Sequence, residues 1–177
     1  MKNSILFITL LFFSLLSCAR PQTNPKQAFE FYNTINNQLE QYKPIQQKLI
    51  DKLTTALIAL KEDDNAKIDI QELSDLLEQS RTVCIQEQKI VENLTEFDNG
   101  INLKQKALSY IQTFHQSYQN EIPASIRIFS DNEGNKFERA KNILLPIFRL
   151  IKEREIEMNK ALGDFENKYE NPVHQSE

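Results

Sequence analysis

From Pro25 onward, Ala28, Tyr32, Ile35, Leu39, Tyr42, Gln46, Leu49, Leu53, Ala56 and Leu60 fall alternately four and three residues apart. All but Gln46 suit an interior. A side chain returns to the same flank of an α-helix at this spacing, so the segment must hide one flank against neighbours. The pattern recurs three more times. Ile70, Leu73, Leu77, Ser80, Cys84, Glu87, Val91 and Leu94 mark a second helix over about 68–97, its stripe widened by Leu76, Val83, Ile90 and Phe97. Leu103, Ala107, Tyr110, Phe114, Tyr118, Ile122, Ser125, Ile126 and Phe129 mark a third. Phe137, Ala140, Leu144, Phe148, Ile151, Glu155, Met158, Leu162 and Phe165 mark a fourth, over 135–169. Only three glycines occur in 177 residues, which suits long helices.

The links are short and polar: Lys61 to Ala66, Asp98-Asn99-Gly100, and Ser130 to Gly134. Short links make successive helices antiparallel neighbours, so the expected fold is all-α, an up-down-up-down four-helix bundle over 25–170. Asn24 is placed to cap the first helix, with Pro25 at its first position. Pro44 and Pro146 are expected to bend the first and fourth helices, and Pro123 to interrupt the third, because proline lacks an N–H and crowds the preceding turn. Residues 171–177 read as a flexible tail.

Ahead of the bundle, Lys2 precedes an apolar run from Ile5 to Leu16. Its length, about 12 residues, falls short of the roughly 20 that span a bilayer. A basic start, a short apolar middle and a small-residue end make 1–17 a signal peptide. Its last residues, Leu15-Leu16-Ser17-Cys18, resemble the lipobox of bacterial lipoproteins. The resemblance implies cleavage before Cys18, diacylglycerol on its thiol and acylation of the new amine. A chain with several acyl groups anchors stably where one alone does not. Residues 18–24 then form a lipidated tether, reaching roughly 20 Å when extended. Position 19 is Ala, not the Asp that favours inner-membrane retention in enterobacterial lipoproteins, and so by resemblance points to the outer membrane.

Three stretches, FYNTINNQLEQYKPIQQKLIDKL (31–53), LKQKALSYIQTFHQSYQNEIPASIRIFS (103–130) and LLPIFRLIKEREIEMNKALGDFENKYE (144–170), resemble a family of uncharacterised all-helical bacterial surface lipoproteins. The resemblance implies an envelope lipoprotein with a helical domain and no known reaction.

Chemistry-bearing motifs are few. The net charge of −4 and the lack of a basic block argue against nucleic acid. His115 and His174 are the only histidines, and neither follows a Glu by three positions, which rejects a di-iron centre; zinc and a Ser-His-Asp triad fare no better. Cys84 lies on the second stripe and reads as a buried, inert thiol. KEDDNAKIDIQEL (61–73) is similar to an EF-hand loop, with Asp63, Asn65, Asp69 and Glu72 at ligand positions. Lys61 in place of the first carboxylate and Ala66 in place of the turn glycine set it against calcium, and Asp64 or Asp69 serves equally as a helix cap.

Counting heights along the stripes places Tyr42, Glu87, Tyr110 and Glu155 at one level, a polar core layer that sets helix register or holds a small ligand. The expectation is a non-enzymatic, lipid-anchored module without metal or cofactor. It binds another protein through a groove or through the acidic, Asn-rich loops farthest from the lipid. The alternative is a small-ligand carrier with a pocket at the proline bends.

Overall fold

The computed structural model describes residues 24–169. The expected signal peptide, Cys18, the expected tether over 18–23, His174 and the expected tail lie outside them. Among the described residues all regular structure is helical: α1 (Pro25–Glu62), α2 (Ile70–Glu92), α3 (Leu103–Gln119), α4 (Glu121–Ser130) and α5 (Lys136–Tyr169). None of these helices is long and apolar enough to cross a membrane.

The stripes are the core. Ala28, Ile35, Leu39, Tyr42, Gln46, Leu49, Leu53, Ala56 and Leu60 of α1 are buried, and Leu73, Leu77, Cys84 and Val91 of α2 meet them. Several positions differ from the stripe reading: Ile70, Leu94, Phe137, Phe148, Glu155 and Leu162 are only half-buried, and Ala161 is buried beside Leu162. Phe31 is buried where Tyr32 was expected, since a ring without a hydroxyl enters the interior at no polar cost. Ile90, expected to widen the second stripe, is exposed. α1 packs against α2 and α5, α3 packs against α2 and α5, and α4 packs against α5, α3 and α2.

One helix is interrupted as its proline implied, and one helix boundary departs from expectation. The third helix is divided in two. At Asn120 the backbone leaves helical geometry (φ −121°, ψ −72°), three residues ahead of Pro123. Pro123 offers no N–H to the Gln119 carbonyl and its ring crowds that carbonyl, so the chain breaks there. α1 and α5 run on through Pro44 and Pro146.

The second helix stops at Glu92, not near 97, because its end is closed from outside. Lys104 Nζ donates to the carbonyls of Glu92 and Leu94. Asp98 accepts the backbone N–H of Gly100 and Ile101, which folds the link into a turn. The Glu96 carboxylate accepts the N–H groups of Lys104 and Gln105, and so caps α3 from across the link.

Side chains also seal three of the other helix starts, while α4, which follows directly on Asn120, has no side-chain cap. Asn24 accepts from the Lys26 N–H, and Asp69 from the Glu72 N–H. Asp64, in the α1–α2 link, reaches the start of α5 and accepts the N–H groups of Asn135 and Lys136, both at 2.7 Å. An anion there satisfies two open donors and meets the positive end of the helix dipole. Asp64→Ala is therefore expected to cost about 1–2 kcal/mol, read as a lowered urea midpoint at unchanged slope.

Beside the start of α1, an aromatic cluster closes one end of the core. Phe165 is fully buried, with ring centroids 5.5 Å from Phe31, 6.1 Å from Tyr32, 5.7 Å from Phe97 and 4.6 Å from Tyr169. Asp98 bolts the same end together, accepting from Lys168 Nζ at 2.5 Å and from the Tyr169 hydroxyl at 2.7 Å. Burial opposes its charge, but these donors and the Gly100 N–H outweigh it and hold the carboxyl down at about 2.

Candidate functional site

Midway along α1 the core turns polar. The Tyr42 hydroxyl, on a side chain with no exposed surface, donates to the Tyr118 hydroxyl of α3 at 2.5 Å. One turn on, Gln46 Oε1 accepts from the Tyr110 hydroxyl at 2.9 Å. The Cys84 thiol of α2 donates to the Ile111 carbonyl at 3.5 Å. One turn further along α2 lies Glu87, 2 % exposed, with no hydrogen bond to either carboxyl oxygen. Gln46 Nε2 also lacks a hydrogen-bond partner.

Of the four residues expected to share a layer, Tyr42 and Tyr110 are each hydrogen-bonded, in two separate pairs and with partners outside the expected set. Glu87 lies beside them without a bond. Glu155 faces outward, its side chain 24 % exposed and paired with Lys152 at 2.8 Å. It shares with Tyr110, Glu40 and Lys43 a narrow cleft of about 20 Å³ between α1 and α5, enough for roughly one water.

Heights counted between Cα atoms missed Tyr118 and Gln46 as the partners. A tyrosine carries its oxygen roughly a helical turn from its Cα, so two phenols from different levels meet. Gln46 carried the available signal, as a polar residue on an otherwise apolar stripe.

Burial keeps this interior uncharged at neutral pH. It pushes Glu87 up to about 8 and the Cys84 thiol up to about 12. The three phenols rise too, chiefly through burial; nearby Tyr118 adds to the rise of Tyr42, and Glu155 to that of Tyr110. A thiol held so high is a poor nucleophile. The two pairs can fix the register of α1 against α3, because each hydroxyl bond closes in one alignment only.

The loops far from α1's start are tied up in the fold. Asp63 accepts the Asn65 N–H, Asp69 caps α2, and Glu72 pairs with Lys52 at 2.7 Å. The EF-hand-like positions therefore serve turns, a cap and an ion pair. Asp131 and Glu133 both pair with Arg139. Among the described residues no three His, Cys, Asp or Glu side chains stand together as metal ligands. His115 joins α2 to α3, its Nδ1 2.9 Å from Gln88 Oε1.

On the outside, α1 and α2 part beside Pro44. The groove between them measures about 660 Å³ and is floored by Pro44, Ile45 and Val83, with Gln41, Lys48, Glu78, Gln79 and Thr82 around them. Proline has no N–H for the Glu40 carbonyl one turn back, but Glu40 lines the cleft between α1 and α5 and not this groove. Compared with family models, curated proteins and solved structures, the chain finds no significant match.

Proposed function

We propose that this is a non-enzymatic, lipid-anchored envelope protein whose helical bundle docks a partner protein in the groove beside Pro44. The helices run up, down, up and down. Two contacts favour that path: Asp64 joins the α1–α2 link to the start of α5, and Asp98 joins the α2–α3 link to its end. The anchor is Cys18, on the strength of Leu15-Leu16-Ser17-Cys18, and the membrane is the outer one by the Ala19 criterion. On this path the aromatic end of the bundle faces the bilayer, and the groove stands above it.

The observation that carries the docking reading is the groove's make-up. It offers an apolar lining of Pro44, Ile45 and Val83 with the Lys48 cation beside it. A peptide segment with one or two apolar side chains and an acidic group complements both. Ile45→Arg with Val83→Arg places charge on that lining. In affinity capture from envelope extracts, the wild-type bundle is expected to retain a partner that the double variant loses at least about tenfold, with helical circular dichroism unchanged. Equal capture by both, or no specific partner, overturns the docking reading.

The groove's size also favours a second reading, a carrier of a small apolar ligand, since ligand pockets commonly measure about 300–1,000 Å³. Saturable binding of a fluorescent fatty-acid analogue to the wild type, lost in the double variant, would select the carrier.

A further inference from the structure

We propose that Glu87 is a proton-operated latch on α2: carrying its proton it lets the core close over it, and on losing the proton it parts α2 from α1 and α3. The geometry is that of a carboxyl group with nowhere to put a charge. Glu87 is 2 % exposed and neither oxygen has a hydrogen-bond partner; the Gln46 amide, bonded to the Tyr110 on which Glu87 acts, also has an N–H without one.

Among the described residues no cation acts on it. On its own helix it acts on the Cys84 thiol, and on α3 on the Tyr110 phenol, both of them acids. α1 brings the Tyr42 phenol and the Gln46 amide to the same interior, and α3 brings Tyr118. Glu155 of α5 acts on the same Tyr110. α4 carries Glu121 and Arg127, and neither shifts Glu87, whose rise comes from burial alone. An ionised carboxylate in such a place is stabilised only by water, and water reaches it only when α2 moves away. Burial sets the changeover near pH 8.

α2 contributes Glu78, Gln79, Thr82 and Val83 to the groove, so a parted α2 would also reshape it. That consequence rests on the docking reading of the preceding subsection. The latch does not.

Amide hydrogen exchange of the full chain between pH 6 and pH 9, corrected for intrinsic exchange chemistry, tests it. In the wild type, peptides covering 80–91 are expected to lose at least about tenfold protection over this range, while those covering 161–165 in α5 hold theirs. Glu87→Gln, neutral throughout, is expected to keep 80–91 protected at pH 9. Should that variant fail to fold by circular dichroism, Glu87→Met serves the same purpose. Equal loss in the wild type and the neutral variant, no loss in the wild type, or uniform loss across all helices would overturn the latch.

Discussion

Phe165→Ala is expected to destabilise the bundle by about 3–5 kcal/mol, the usual cost of removing a large ring from a closed core. Phe165 has no exposed surface and touches the rings of Phe31, Tyr32, Phe97 and Tyr169. Those rings come from α1, the α2–α3 link and α5, so one truncation removes contacts that join three parts of the chain. The neighbours are wide and flat and cannot all move inward to refill the space. Phe165→Leu keeps most of the volume and is expected to cost less than half as much. Urea unfolding of the two variants reads both numbers.

Glu87→Leu is expected to do the reverse and raise stability, by an amount that grows with pH. The carboxyl titrates near 4.5 in an unfolded chain and near 8 in the core. Its folded-state value is raised, so the unfolded chain releases the proton first. Its contribution to stability is then fully present below about pH 4.5 and is lost as pH rises, until the folded carboxyl also ionises near 8. At pH 9 the accumulated loss is about 3–5 kcal/mol by linkage, an upper figure because an opened core admits water. Leucine carries no such loss. The two unfolding midpoints are expected to lie close together at pH 5 and far apart at pH 9. A gap that does not widen with pH would show that Glu87 is solvated in the folded chain.

Much of the helical framework was legible because burial repeats at fixed spacing. The stripe through Ile35, Leu39, Tyr42, Leu49 and Leu53 needs only the α-helical period. The end of α2 was not legible in this way. Leu94 and Phe97 prolong the apolar pattern, yet the helix stops at Glu92 because Lys104, from the next helix, satisfies the last carbonyls. That contact depends on how the reversal at Asp98-Asn99-Gly100 closes, which the apolar spacing does not encode. The break at Asn120 was half legible: Pro123 announced an interruption, but the place follows from the carbonyl its ring displaces.

At the candidate site, Tyr42, Glu87 and Tyr110 could be read as buried from the stripes alone. Their partners could not, since hydroxyl reach rather than Cα height decides which groups meet. Asp64 read as a free apex acid or a cap of the adjacent helix, whereas it caps α5, 71 residues on. Sequence spacing says which face a residue occupies, and only the closed fold says what comes to that face.

The central claim, a helical module held at a membrane by lipid on Cys18, is tested most directly by growing cells with labelled palmitate. Wild-type protein is expected to take up label and sediment with the outer membrane. Cys18→Ala is expected to take up none and to leave the membrane fraction. A labelled Cys18→Ala chain, or an unlabelled wild-type chain free of the membrane, would contradict it.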